Sequence, residues 1–569
     1  MSDVFGGPKR TTPLSQHGAG VRGDALNRRS SSFEGRFGRI FRSLPPAKWR
    51  TEVLGSLSDA MTADPERVGK LPAAEPEDPK TRIHDDEENA GIAAGYTYLG
   101  QFIDHDITFD PASSLMQQND PDALVNFRTP RLDLDSLYGR GPADQPYLYR
   151  ADGKRFRLGR ALSENGSPSS SRDLPRVDPE GPTGAKRALI GDKRNDENVI
   201  IAQLHSTMLQ FHNRLADLGE KKRHSITFEE IQQQVRWHYQ WIVVNDFLVT
   251  TCGEDVVHEI LPHLAQKQPI WKHPPRFGLY RWHEQPFMPI EFSTAAYRFG
   301  HSMVRPIYRL NTKLAGGDNP DKATADERKR GLDGRFFIFA GVQRRGLNGF
   351  DEFPAEWAID WSLFFDIKGS IKKTGQARVQ PSYKIDTSLV NPLGFLPEFS
   401  KLPGAAKPPL TVDQLQSKPT DPRRNPANLA ERNLLRGMAM GLPSGQSVAR
   451  SLGLEPIADQ NLRIGKAIVA EWDASKPLIE LDESFADKAP LWFYVLAESQ
   501  FEWIQKAKAT GGRGDETPLR LGTVGARIVA ETLIGLLWGD GHSFLRQAPN
   551  WVPEHGIRNM GDLIEVALR

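Results

Sequence analysis

Four short groups of residues in this sequence have types and spacings that could do chemistry together. The first is Gln101-Phe-Ile-Asp104-His105-Asp106. Residues four apart on a helix share a face, so Gln101 and His105 point the same way. An imidazole titrates near neutral pH and can take and return a proton. A lone histidine on an amphipathic helix is more often packed core than catalyst, but this one stands between two carboxylates. The second group is Thr129-Pro-Arg131-Leu-Asp133-Leu-Asp135, which runs on to Gly139. Alternating oxygen-bearing positions in an extended loop can converge on one centre, and calcium takes about six to eight oxygens. By itself the group reads equally well as a solvated acidic turn. The third is Arg194-Asn-Asp-Glu197-Asn198, ahead of a long helical run. A cation at a helix start opposes the dipole, a mild cost that hints at a task for the charge. The fourth is Arg298-Phe-Gly300-His301. A glycine inside a helical pattern costs about 1 kcal/mol relative to alanine. Close approach by a large flat group, or by a neighbouring helix, would explain it.

The elements that must position these groups are mainly helices. Ala90 to Asp106 places Tyr98, Phe102 and His105 for one face. Asn198 to Glu220 carries Ile201, Leu204, Met208, Phe211 and Leu215 at helical spacing. Thr227 with Glu230 forms a capping-box pattern before another apolar run. Ser293 to Val304 reads as a short helix stopped or bent by Pro306. The stretch TVGARIVAETLIGLLW near the C-terminus is apolar at helical period. Residues 162–186, 313–326 and 402–427 are rich in Pro, Gly or Ser and read as loops. No strand alternation is long enough for a large sheet, and no internal repeat is visible. The expected fold is mainly α: a tail over residues 1–36, then one large helical domain over 37–569 with long loops and little β structure.

Composition narrows the classes. The chain of 569 residues carries 73 basic and 72 acidic side chains, so no strong pull toward nucleic acid or an anionic membrane is expected. The single cysteine, Cys252, excludes an intramolecular disulfide and reads as a helix-end packing residue. No run reaches the ~18 apolar residues of a membrane span. The N-terminal MSDVFGGPKRTTPLSQ lacks the apolar stretch of a signal peptide, so a cytoplasmic location is the expectation, with leaderless export left open.

Taken in order, LGQFIDHD, TPRLDLDSLYG, GDKRNDEN, YRFGHSMV and NLLRG resemble the animal-type haem peroxidases of the peroxidase–cyclooxygenase superfamily. The resemblance runs from about Phe37 to near the C-terminus and is strongest to the bacterial branch. It implies a single helical haem peroxidase domain. It also implies roles, residue by residue. His105 matches the distal histidine, Gln101 the distal glutamine and Arg194 the catalytic arginine. His301 matches the proximal iron ligand, and Asn433 the asparagine that orients it by accepting its other N–H. Asp104 and Glu197 match the carboxylates that form ester bonds to haem b, and Arg436 an arginine near a propionate. Asp106, Thr129, Arg131 (through its carbonyl), Asp133 and Asp135 match a Ca²⁺ site. The implied partners are hydrogen peroxide and a small reducing substrate: a halide, a pseudohalide or a phenolic compound.

There are departures. Asn198 stands where one mammalian member has a methionine bonded to haem, so that link is not expected. Met438-Ala439-Met440 follows Arg436-Gly437 where the family often has Arg-Asp-His. A fatty-acid dioxygenase or cyclooxygenase is the nearest enzyme alternative. In that branch a radical-forming tyrosine lies three residues before the proximal histidine, and here that position is Arg298. A non-enzymatic calcium-binding adhesion protein is a further alternative, prompted by the tripeptide Arg513-Gly514-Asp515. Three residues are a weak signal, and an exposed polar loop is the simpler reading.

Overall fold

The computed structural model describes residues 37–63, 87–109, 126, 128–164, 167–179, 184–223, 225–282, 286–312, 335–339, 346–367, 378–394, 396, 426–511 and 517–569. The expected tail over 1–36, the loop at 313–326, residues 402–425 of the third loop, and Arg513-Gly514-Asp515 lie outside the described residues.

Helices build the core. They are α1 (Thr51–Met61), α2 (Gly95–Ile107), α3 (Val199–Arg223), α4 (Phe228–Ile242), α5 (Leu429–Ala439), α6 (Leu491–Ala509), α7 (Thr523–Gly539) and α8 (Met560–Leu568). Among the described residues, strands are short and pair only two by two. The fold is thus mainly α, as the absence of long alternation implies.

The centre is α3, whose Ile201, Leu204, Met208, Phe211 and Leu215 are all buried. Helices α2, α4 and α8 pack on it. α4 starts at a closed capping box. Thr227 Oγ1 accepts from the Glu230 amide, and the Glu230 carboxylate accepts from the Thr227 amide at 2.8 Å. Its far end passes through a π-turn at Val243–Phe247 before the short helix Leu248–Cys252. The turn carries Asp246, whose buried carboxylate accepts from the Tyr96 hydroxyl at 2.5 Å and the Met560 amide at 2.8 Å. One side chain therefore links the end of α4 to α2 and to α8, and burial pushes its carboxyl up to about 6. Cys252 is buried at its helix end, where packing is its role.

Three elements differ from the sequence reading. Ala90 does not begin a helix, because residues up to Ala93 form strand β1 (Glu88–Ala93), and α2 starts only at Gly95. The backbone there is committed to neighbours, with Ala94 N on Gln380 O at 2.8 Å and Gly95 N on Phe364 O at 2.9 Å. The Pro/Gly/Ser-rich run at 162–186 is not all loop. Strands β2 (Ala161–Glu164) and β3 (Ser167–Arg172) make an antiparallel hairpin there. Finally, Ser293–Val304 is not one α-helix. A short α-turn, Ile290–Thr294, ends at Ala295 (φ −134°, ψ −78°), and a 3₁₀ segment, Ala296–His301, follows. This 3₁₀ segment packs against α2 on one side and against α6 and α7.

Gly95 is where α2 meets the body of the protein. A Cβ there would lie 2.4 Å from the Phe365 ring and 2.5 Å from the Phe364 carbonyl oxygen. Gly95→Ala should therefore displace the start of α2 and destabilise the fold by about 1–3 kcal/mol, the usual cost of overpacking. Thermal unfolding measures this as a lowered Tm, and an unchanged Tm contradicts it.

Candidate functional site

The last two turns of α2 carry Gln101, Asp104, His105 and Asp106. His105 is buried, and its Nδ1 lies 2.8 Å from Asn195 Oδ1. That oxygen can only accept, so Nδ1 carries the proton and Nε2 is bare. Nε2 lies 4.0 Å from Glu197 Oε1. Gln101 Nε2 donates to the same Glu197 oxygen. Burial first, and the Arg194 charge second, lower His105 to about 4. The ring is therefore a neutral base at pH 7.

Arg194 is not at the start of α3 but in a 3₁₀ turn, Lys193–Asp196, just before it. Its charge is met at once. Arg194 Nη2 donates to Asp192 Oδ2 at 2.8 Å and to the His105 carbonyl at 2.9 Å. The guanidinium lies over the Phe109 ring, 4.6 Å from its centroid. Asp192 also receives Arg128, whose Nη2 lies at 2.5 Å and Nε at 3.0 Å. Burial alone would raise the Asp192 carboxyl, but the two arginines hold it well below the usual carboxylate range. Asn198 caps α3. Its Oδ1 accepts from the amides of Ile200 and Ile201 at 3.1 and 2.9 Å. Asp104 lies further along α2 and accepts from the Thr108 hydroxyl at 2.9 Å.

His301 ends the 3₁₀ segment that packs on α2, and Tyr297 OH donates to Gly100 O at 3.1 Å across that contact. Asn433, on α5, faces His301 as the resemblance implies, but with the other end of its amide. Arg298 Nη1 donates to Asn433 Oδ1 at 2.8 Å, so the Asn433 nitrogen is what meets His301 Nδ1, at 2.8 Å. The resemblance implies that Asn433 accepts the His301 N–H; here Arg298 engages the Asn433 oxygen and the amide nitrogen faces the ring. Burial, then the Arg298 charge, lower His301 to about 3. A Cβ on Gly300 would meet nothing within 4 Å. Tight helix packing is therefore not the reason for this glycine. Arg436 lies on α5 three residues beyond Asn433.

Asp106 points away from this pocket, toward the loop that follows. Oxygens of Asp106, Asp133 and Asp135 lie within 4.8 Å of one another. Burial, and then the charges of Asp133 and Asp135, push the Asp106 carboxyl well above its ordinary value. Leu134 stands between the two loop aspartates with φ +58°, a left-handed conformation unusual for leucine. Its amide donates to Asp106 Oδ2 at 3.2 Å. The Thr129 hydroxyl donates to Asp133 Oδ2 at 3.2 Å. The Arg131 side chain lies toward Asp540 at 3.8 Å, so only its main chain is left to serve the cluster. Gln240 on α4 anchors the loop through Leu132 O at 2.9 Å.

The family model for animal haem peroxidase matches residues 113–330, which include the aspartate loop, Arg194, Glu197 and His301. Thyroid peroxidase of Canis lupus familiaris is 27% identical over 203 residues, covering 33% of this chain and 20% of that protein. Over that stretch the chain is similar to animal haem peroxidases. Heme peroxidase 2 of Caenorhabditis elegans is 26% identical over 308 residues, 44% of this chain and 41% of that protein. The chain thus matches well under two thirds of the length of either relative. Peroxidase A of Dictyostelium discoideum shares the fold over 98% of both chains, with TM-score 0.54 and 16% identity.

Sequence reasoning missed Arg128, Asp192, Asn195 and His205. Asp192, just ahead of the KRND turn, carries a readable signal as a capping residue whose side chain accepts the Arg194 amide at 2.9 Å. His205 and His212 recur one heptad apart on α3 and are both fully buried. His212 donates from Nε2 to Lys154 O at 2.7 Å and accepts the Tyr138 hydroxyl on Nδ1 at 2.9 Å.

Burial lowers His205 to about 3 and His212 to about 4. Unfolded histidine titrates near pH ~6.5. Below that pH the unfolded chain takes up protons that the folded chain refuses. Their contribution to stability is complete above pH ~6.5 and is lost as pH falls toward the folded values. The urea midpoint should fall from pH 7 to 4, and less steeply in His205→Gln, which has no proton to gain. Equal slopes in the two proteins contradict this reading.

Proposed function

We propose that this protein is a haem-dependent peroxidase that reduces hydrogen peroxide and oxidises a small donor, a halide, pseudohalide or phenolic compound. The observation that carries the reading is the His105 arrangement. A buried neutral imidazole has its Nδ1 tied to Asn195, its Nε2 bare beside Gln101 and Glu197, and a fixed guanidinium bonded to its own carbonyl.

The residues fit a haem. Gly300 leaves open space beside His301, where a side chain would intrude. His301 is neutral, as a metal ligand must be. Holding iron through Nε2 puts the ring proton on Nδ1, so the Asn433 amide would have to turn its oxygen toward it. Asp104 and Glu197 supply carboxylates for ester links, and Arg436 would serve a propionate. When bound, haem iron supplies the two-electron chemistry that peroxide cleavage and donor oxidation require. The chain's own part is proton transfer and electrostatics. His105 Nε2 takes a proton from peroxide and returns it to the departing oxygen, which leaves as water. Arg194 offers fixed positive charge to the negative charge that develops as the O–O bond breaks. Gln101, held by Glu197, presents its amide beside the same ring nitrogen.

The dioxygenase alternative finds less support. Arg298 fills the position of the radical tyrosine and is bonded to Asn433 and to Ser293 O. Tyr297, the neighbouring tyrosine, stacks on Phe292 at 4.5 Å.

Calcium fits the aspartate cluster. Oxygens on opposite sides of a calcium ion lie about 4.6–5.2 Å apart, and the mutual repulsion of the three carboxylates, which after burial pushes the Asp106 pKa up, favours a bound cation beside Arg128. The proposed role is structural, since Asp106 directly follows His105.

Stopped-flow mixing of the haem-loaded protein with hydrogen peroxide tests the function. His105→Ala should slow the reaction by about 10²–10⁴-fold, the usual share of general acid–base catalysis. His301→Ala should lose the normal Soret band. In the parent protein the rate should hold from pH 7 down to near the His105 value of about 4 and fall below it, as Nε2 becomes protonated. A His105→Ala protein as fast as the parent refutes the mechanism.

For calcium, elemental analysis should find bound Ca²⁺ in the purified protein. Asp106→Asn or chelation should lower both Tm and peroxide reactivity. Active, chelator-treated enzyme without calcium contradicts the role.

A further inference from the structure

Asn195 lies between two buried imidazoles. Its Oδ1 meets His105 Nδ1 at 2.8 Å, and its Nδ2 meets His205 Nδ1 at 3.0 Å. All three side chains are buried, with Asn195 and His205 fully so. An amide has one accepting end and one donating end, so the two rings cannot choose their tautomers independently. With oxygen toward His105, the His105 proton sits on Nδ1. With nitrogen toward His205, the His205 proton sits on Nε2.

We infer that Asn195 is a positioning residue that fixes the tautomer of His105, with His205 as its buried counterpart. The inference rests on the proposed peroxide chemistry, which needs His105 Nε2 bare. A neutral imidazole whose proton sits on Nε2 is no base toward a ligand at that atom, and nothing else bonded to the ring selects against that form. Arg194 touches His105 only through its carbonyl, and Glu197 stands 4.0 Å from Nε2. The selection therefore falls to the Nδ1 side, where Asn195 is.

His205 strengthens the case. Its Nε2 is buried with no hydrogen-bond partner among the described residues. Leaving such an atom unpaired typically costs about 1–3 kcal/mol. A phenylalanine or leucine would pack there without that cost, yet could not hold Asn195 Nδ2. Without that hold the amide is free to turn and present nitrogen to His105. The link also joins α2 to α3, since His105 and His205 lie on those two helices. Phe102, on α2, makes an edge contact with the His205 ring at 6.1 Å.

The test reads the tautomers directly, by ¹⁵N NMR of the haem-loaded full chain carrying ¹⁵N-histidine in the diamagnetic ferrous carbonyl form. Loss of signals in His105→Gln and His205→Gln assigns the two rings. In the parent, His105 should show a protonated Nδ1 and bare Nε2, and His205 the reverse. Asn195→Leu should mix or invert the His105 pattern and slow the peroxide reaction about tenfold or more, with the Soret band kept. Asn195→Asp offers oxygens to both rings, so His105 should keep its proton on Nδ1 while His205 moves its proton from Nε2 to Nδ1. That reversal at one ring only is not produced by a merely structural role. A parent His105 protonated on Nε2, or a His105 pattern unchanged in Asn195→Leu, overturns the inference. If Asn195→Leu does not fold, the parent and Asn195→Asp spectra still decide it. Correct tautomers with no peroxide reaction in the parent would instead count against the proposed function.

Discussion

The Asp192 carboxylate is the charge on which both halves of the site hang. Alone in the interior it would be strongly unfavourable. Arg194 and Arg128 meet it from two directions, and each carries a different neighbour. Arg194 reaches on to the His105 carbonyl, and Arg128 lies 3.4 Å from Asp135 in the aspartate loop. The pocket around His105 and the candidate cation site are thus two ends of one ion-pair chain. Breaking it leaves a buried charge uncompensated, so the arginines have little freedom to rearrange. A guanidinium placed this way is already oriented before any substrate arrives, which is how electrostatic catalysis avoids reorganisation.

The two histidines offer a comparison in polarity. Each is held at Nδ1 by an asparagine, but the amides present opposite ends. Asn195 gives oxygen to His105 because its nitrogen is taken by His205. Asn433 gives nitrogen to His301 because its oxygen is taken by Arg298. In both cases the neighbour behind the asparagine decides what the histidine sees. A base and a metal ligand that act through Nε2 both need the ring proton on Nδ1, so the Asn195 amide already suits His105, whereas the Asn433 amide suits His301 as a ligand only once its oxygen turns toward the ring.

Much of this was legible in the sequence. Apolar spacing placed α3, and Thr227 with Glu230 placed the start of α4, because helix periodicity and capping are local. The aspartate alternation pointed to a convergent cluster, and the structure brings Asp133 and Asp135 to Asp106. What escaped was non-local. The strand β1 before α2 exists because it pairs with Pro381–Tyr383, far along the chain. The 3₁₀ form of Ala296–His301 follows from the break at Ala295, which no residue type announces. Asp192, Asn195 and His205 look like ordinary capping and core residues until folding brings their partners within bonding distance. The Asn433 amide could not have been oriented without knowing where Arg298 lies.

The contact of α8 with α3 has a consequence for how the chain is made. α8 packs along α3, and the Met560 amide is bonded to Asp246 just past α4. α3 and α4 leave the ribosome hundreds of residues before α8 does. Until then the apolar face of α3 that α8 covers has no permanent cover. Such long sequence separations slow folding, because loop closure must precede the contacts that reward it. During synthesis, therefore, the helix that presents His205 to Asn195 waits half-wrapped until α8, made hundreds of residues later, covers it.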